Sequence, residues 1–364
     1  HNINAKSNPK KEEKTRDVLQ NTATVEPIIL IPQIRMDIFN PKMGTIIPKL
    51  FQQETSTDAT NERNKYDDNN NDNNWVQKFM RNNHYTITDV EKNGDCFFAT
   101  IRDAFEQIGQ ETRVSSIRNK LSNEVDDRLF NGYIEQYNMY SKAVRDIAGE
   151  SIKLKKEYEG LQNKLTMTID QEQKIIIYNA AKIMKKKYDA LKRDIDLSKE
   201  LLKDFFAIKD IKTTSEFKKH IQTCEFWADD WAISTVERIL NIKFIILSSE
   251  IYEQNDYSNV LQCGNAIDPI LQSRGEFNPE YYIIVDHNGS HYKLIGYKKK
   301  YIFKFKEIPY DIKKIIVDKC MERNSGLFAF IPDFKYIFID LSDYSDDDIK
   351  KRVFIAESSK RLNL

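Results

Sequence analysis

Phe97, Ile101, Ala104, Phe105 and Ile108 recur at i, i+4, i+7, i+8 and i+11. This spacing lays all five on one face and predicts an amphipathic helix that opens just after the tight turn Asn93-Gly94-Asp95. Ile233, Val236 and Leu240 repeat the helical spacing and feed residues 243–247, a short β-type run. Residues 281–285 and 292–295 form two more apolar runs, and Asn288-Gly289 between them predicts a β-hairpin.

No proline occurs between Pro48 and Pro269, which permits long helices. From Tyr137 through Tyr140, Val144 and Ile147 to Leu165, apolar positions alternate spacings of three and four, and Ile177 through Leu202 do the same. These are two heptad seams. Thr168-Ile169-Asp170-Gln171 lies between them and matches a capping box opening the second helix. The pattern predicts an antiparallel coiled-coil hairpin over residues 136–206, each arm ~45 Å or longer at ~1.5 Å per residue. Such an insert is a spacer, an extra packing layer or an arm for a protein partner.

Both ends read as additions. Residues 1–74 are expected to be a low-complexity, largely disordered arm, because the stretch 55–74 is dominated by Asn, Asp and Thr and has little apolar surface to offset chain entropy. Within it, residues 28–31 and 46–51 are apolar enough to dock, and Pro27, Pro32, Pro41 and Pro48 favour extended chain. In the extension 301–364, Tyr301-Ile302-Phe303 is strand-like and Ile312, Ile315, Ile316 and Cys320 share a helical stripe. Residues 334–341 read as a strand and 342–348 as an acidic turn, completing a sheet edge or forming an annex.

Composition narrows the function classes. The 364 residues suit two or three structural units, and 56 basic against 56 acidic residues leave no global field for nucleic acid or membrane. Cys96, Cys224, Cys263 and Cys320 stand far apart with no C-x-x-C pair, so neither zinc nor a disulfide framework is expected. A reducing cytosol is the compartment this usage suggests. No apolar stretch approaches the ~20 residues of a membrane span.

The chemistry centres on Cys96. A thiol at a helix N-terminus faces unpaired N–H groups and the positive end of the dipole, both of which favour the thiolate. The chain offers five histidines as a base: His1, His84, His220, His287 and His291. His291 stands at the entry of a strand, where a rigid backbone can aim an imidazole, and His287 lies across the turn from it.

Three pieces occur in order: Asn93-Gly94-Asp95-Cys96-Phe97-Phe98, the Trp227-led helix and strand ending at Leu247, and His291-Tyr292. Together they resemble the OTU (ovarian tumour) family of cysteine proteases, over roughly residues 80–135 and 207–300. The resemblance implies an α/β papain-like fold whose catalytic domain spans 75–135 and 207–300, interrupted by the hairpin. It implies Cys96 as nucleophile, His291 as base, Asn93, Gly94 and Asp95 as the oxyanion loop, and Trp227 and Tyr292 on the substrate side. The implied reaction is hydrolysis of isopeptide bonds between ubiquitin, or polyubiquitin chains, and lysine, with no metal or organic cofactor.

The chain departs from the family pattern in four places. Asn93 replaces an Asp, Asp95 brings a carboxylate beside the thiol, Ala228-Asp229 follow Trp227 where small glycine-like residues are usual, and Lys293 occupies the place of the acceptor that orients the histidine. Lysine donates and cannot accept. Four other acceptors are near in sequence: Asp89, Asn93, Asp286 and Asn288. Asp89 ranks first because residues 85–88 read as a strand running beside the site. The rival reading is an OTU-shaped module that binds ubiquitin or a helical partner without turnover; retention of both Cys96 and His291 argues against it.

Overall fold

In the computed structural model, which describes residues 37–203, 205–264 and 267–341, a mixed sheet forms the centre of the fold. In chain order the strands are Asn40–Pro41 (β1), Tyr85–Thr88 (β2), Gln110–Glu111 (β3), Ile242–Leu247 (β4), Leu261–Gln262 (β5), Tyr281–His287 (β6), Tyr292–Tyr297 (β7) and Ile302–Phe303 (β8). The sheet runs β2-β7-β6-β4-β5, with β8 also paired to β6, while β1 and β3 make a separate two-stranded ribbon. Only β4 and β6 are parallel, and both are buried along nearly their whole length. A strand covered on both faces needs a nearly continuous apolar run, which 242–247 supplies apart from Lys243. Its one charge, Lys243, is neutralised by Glu237 at 2.6 Å and lies 4.5 Å over the Phe328 ring.

The helices are Ser56–Asn64 (α1), Trp75–Met80 (α2), Cys96–Glu106 (α3), Val114–Asn123 (α4), Asp127–Met167 (α5), Gln171–Lys203 (α6), Thr214–Ile221 (α7), Asp230–Leu240 (α8), Ser249–Glu253 (α9), Pro269–Arg274 (α10), Tyr310–Ile316 (α11) and Pro332–Leu341 (α12). The inward stripe of α3 packs on β6 and β7, placing Phe97 4.8 Å from Phe244. The opposite face of the sheet is covered by α2 and by the C-terminal segment, with Ile308, Ile312, Ile316, Phe328 and Phe334 fully buried. The extension beyond residue 300 therefore adds β8 to the sheet beside β6 and contributes to the core rather than forming a separate annex.

α5 begins at Asp127, nine residues before the expected start of the hairpin, because Asp126 caps it by accepting from the Leu129 N–H. Its first turns belong to the globular part: Phe130 stacks on Phe217 at 5.6 Å and Tyr133 meets Phe217 at 4.9 Å. Above them α5 and α6 pack against each other, reversing through residues 168–170. The cap of α6 is Asp170, which accepts from the N–H groups of Glu172 and Gln173, and Thr168 instead returns its hydroxyl to the Lys164 carbonyl. The expected capping box is thus displaced by two residues.

Three further expectations are corrected. The segment 55–74 is ordered: Thr55 and Asp58 cap α1 reciprocally, Arg63 of α1 pairs with Asp311, and Asn74 caps α2. Its Asn and Asp residues serve as caps and turn-formers, a use that composition alone does not distinguish from disorder. Residues 334–341 are helical, with Pro332 at the start and Phe334 buried among Phe305, Phe328 and Tyr282; β-propensity yields to this packing. Cys263 and Cys320 form a disulfide with Cα atoms 5.5 Å apart, where the sequence led to no expectation of a disulfide framework. The apolar strip 28–31 and the acidic turn 342–348 lie outside the described residues.

Candidate active site

The turn before Cys96 is built by Asn93. Its side-chain oxygen accepts from the Asp95 N–H at 2.9 Å and its carbonyl accepts from the Cys96 N–H at 3.1 Å. Gly94 runs so close to the Cys224 carbonyl that a Cβ would overlap it, so this glycine permits a close approach. Behind the loop stands Arg118 of α4, only 1% exposed. It donates to Asp95 at 2.8 Å, to the Gly94 carbonyl at 2.6 Å, and to the carbonyls of Ile221 and Phe226 at 2.8 and 3.1 Å. Its guanidinium also lies 4.2 Å over the Phe98 ring. Asp95 is therefore turned toward Arg118. Sequence reasoning missed Arg118; the signal was an arginine between Ile117 and Leu121 on the inward face of a helix.

Cys96 is 2% exposed and is the first residue of α3. Burial pushes its thiol above the ordinary value, outweighing the backbone N–H groups of Tyr292, Phe97 and Cys96 that face the sulfur and the nearby Arg118 charge. Desolvation thus opposes the thiolate-favouring effect expected of the helix N-terminus. Two of the amides expected to serve an oxyanion are also engaged, those of Asp95 and Cys96. Gly94 N–H has no acceptor among the described residues.

The Tyr292 N–H that faces the Cys96 sulfur belongs to the residue after His291, so the thiol lies against the entry of β7. The loop 288–291 is closed by Asn288, whose side chain accepts from the His291 N–H at 2.9 Å. The His291 ring Nε2 is 2.6 Å from Asp89 Oδ1. Register explains the meeting. β2 pairs with β7 so that Thr88 faces Leu294, which carries Asp89 to the level of Lys293, diagonal to His291. The hydrogen bond to His291, first among several influences, holds the Asp89 carboxyl below its ordinary range.

None of the other three acceptors bonds the His291 ring. Asn93 and Asn288 spend their side chains on their own turns, and Asp286 accepts from the Ser249 N–H at 3.1 Å and from Trp75 Nε1 at 3.2 Å. His287 stacks on Tyr292 with ring centroids 4.4 Å apart, and burial lowers it from the ordinary imidazole value.

An open cleft of about 1630 Å³ passes Cys96. Gly94 and Phe97 line one side, Trp227, Asp229 and Trp231 another, and the β6–β7 turn a third. Trp227 presents half its surface, at 50% exposure, whereas Tyr292 is 9% exposed and packs edge-on to Phe97 at 5.3 Å. Tyr292 thus both lines the cleft and packs against α3. Tyr133 and Phe205, at the base of the helical pair, also line the cleft, and Tyr133 donates its hydroxyl to Asp229, the N-cap of α8. Among the described residues no cluster of His, Cys, Asp and Glu is arranged to hold a metal, and no helix is long and apolar enough to cross a membrane.

No family profile and no curated protein matches the chain. Among solved structures, the chain is similar to one described as an ovarian tumor (OTU) domain in complex with ubiquitin. The identity is 12%, the alignment covers 67% of this chain and 90% of that one, and the TM-score is 0.30.

Proposed function

We propose that this chain is a cysteine protease of the OTU type that hydrolyses isopeptide bonds between ubiquitin and lysine. The observation that carries the reading is a pair of linked contacts. The Tyr292 N–H faces the Cys96 sulfur, and the residue before it, His291, has its ring Nε2 2.6 Å from Asp89. A buried thiol, a histidine and a carboxylate on the histidine are the parts of a nucleophile–base–orienter relay. The three ordered motifs that resemble OTU proteases supply the substrate class.

With Nε2 held by Asp89, Nδ1 is the nitrogen left to serve the thiol. His291 takes the Cys96 proton as the sulfur attacks the carbonyl carbon, then donates it to the departing lysine amine. The resulting thioester is opened by a water that His291 deprotonates, releasing a carboxylate and restoring the thiol. Because burial raises the Cys96 thiol, proton transfer to His291 accompanies attack in this reading. The Gly94 N–H is a loop amide available to meet the oxyanion. In this reading residues 75–135 and 207–300 form the papain-like catalytic unit, and the heptad seams support a coiled-coil insertion between them.

The test is a ubiquitin probe with a C-terminal electrophile. Native protein forms a covalent adduct, Cys96→Ala forms none, and His291→Ala forms it ~10³-fold or more slowly. His287→Ala retains most of the rate. Native protein that stays unmodified overturns the proposal. That outcome favours the second reading, a ubiquitin-binding module without turnover, which the raised thiol and the engaged amides of Asp95 and Cys96 support.

A further inference from the structure

α6 carries two apolar seams, and the chain uses one. The row from Ile177 to Leu202 is mostly half-buried and packs on α5. A second row begins one residue earlier and keeps the same alternation of four and three. Its large members are Ile176, Ile183, Leu197 and Leu201, which are 68%, 58%, 63% and 41% exposed. Ala180 and Ala190 continue the row between them. A sustained three-four spacing is the mark of a helix that packs along its length. A helix with two such rows has a second neighbour.

The two remaining positions of the row identify that neighbour. They are Lys187 and Asp194, both exposed, and neither has an ion-pair partner among the described residues. They stand symmetrically about the Ala190–Leu191 step. An antiparallel α6 from a second copy, related by a two-fold axis at that step, brings each Lys187 to the other copy's Asp194. The same operation sets the small Ala180 against the large Leu201 and brings Ile183 within one residue of Leu197. A two-fold interface must be self-complementary in this way. A parallel arrangement opposes Lys187 to Lys187 and Asp194 to Asp194, which the charges disfavour. A foreign acidic helix would match the lysine and leave the aspartate opposed.

We infer that the outer face of α6 is a homodimer interface, in which two copies of this chain pair their helical arms antiparallel about Ala190. The stripe from Ile176 to Leu201 is about 38 Å long at ~1.5 Å per residue and one helix wide, so the dimer is small and concentration-dependent. The inference does not depend on the proposed hydrolase activity.

Sedimentation equilibrium of the full chain at low salt tests it. The mass is expected to rise with concentration from 42.9 kDa toward twice that value. Ile183→Glu, at a site exposed in the single chain, holds the mass at 42.9 kDa at every concentration while its thermal melt is unchanged. Lys187→Asp alone and Asp194→Lys alone each weaken association about tenfold or more, because each creates like-charge contacts across the axis. The double variant Lys187→Asp with Asp194→Lys restores the native constant. A native chain that stays monomeric, a dimer indifferent to Ile183→Glu, or a double variant as weak as the singles overturns the assignment.

Discussion

His291 Nε2 lies 2.6 Å from Asp89 Oδ1, across a sequence separation of 202 residues. The pair spans two antiparallel strands, β2 and β7, whose register alone brings them together. If Asp89 orients the imidazole, Asp89→Ala lowers kcat by ~10²–10⁴-fold with little change in KM. Asp286→Ala and Asn288→Ala should disturb folding or the turn without this split in the kinetic constants. Steady-state cleavage of a fluorogenic ubiquitin substrate reads the difference, and a near-normal Asp89→Ala would remove Asp89 from the mechanism.

Cys96 predicts a particular pH dependence. Its thiol is raised by burial, so the folded protein holds the proton beyond the ordinary thiol value of ~8.5. A group raised in the folded state contributes stability below its unfolded value and loses it as pH rises through the folded one. Alkylation by iodoacetamide should therefore climb steadily from pH 7 past pH ~8.5 without a neutral plateau. The unfolding midpoint should fall over the same alkaline window in native protein and less so in Cys96→Ser. A reaction rate already flat at pH 6 would mean a preformed thiolate.

Arg118 is the mechanical support of the nucleophile loop. Arg118→Met leaves Asp95 and three carbonyls without their donor, and the expected loss is about 3 kcal/mol in urea unfolding. Arg118→Lys should rescue little, since one ammonium cannot span donors set on a planar fork. Equal stability of native and Arg118→Lys proteins would contradict this account.

Gly94→Ala places a methyl group against the Cys224 carbonyl. The loop must shift, so probe labelling of Cys96 should fall at least ~10²-fold while the global melt moves by only a few degrees. Labelling at the native rate would show that the loop adapts without consequence.

Replacing residues 142–202 with a short flexible link removes the helical arms but keeps Phe130, Tyr133, Tyr140 and Phe205, whose rings tie the base of the arms to the cleft. The shortened protein should remain folded by circular dichroism and still react with the electrophilic probe. Its mass should be that of a single chain. Aggregation, or loss of near-UV signal, would place the arms inside the core.

Local sequence was sufficient where neighbours within a turn or a strand decide the outcome. The stripe Phe97, Ile101, Ala104 and Phe105 became α3, the run 242–247 became β4, and Asn288-Gly289 closed the β6–β7 hairpin. The same reasoning failed where distant partners decide. Residues 334–341 carry strand-forming residues but pack as a helix against Phe305 and Phe328, and the Asn-rich stretch 55–74 is ordered by contacts such as Arg63 with Asp311.

For the candidate site, sequence alone determined the nucleophile turn, the helix that begins at Cys96 and the strand entry that holds His291, since each depends on residues a few positions apart. It narrowed the acceptor for His291 to four candidates and ranked them without separating them by contact. The tertiary structure brought Asp89 to the imidazole through strand register, and buried Arg118 beneath the loop to draw Asp95 aside. It also set the Cys96 thiol above its ordinary value, because desolvation depends on every element packed around the sulfur and not on the helix dipole alone.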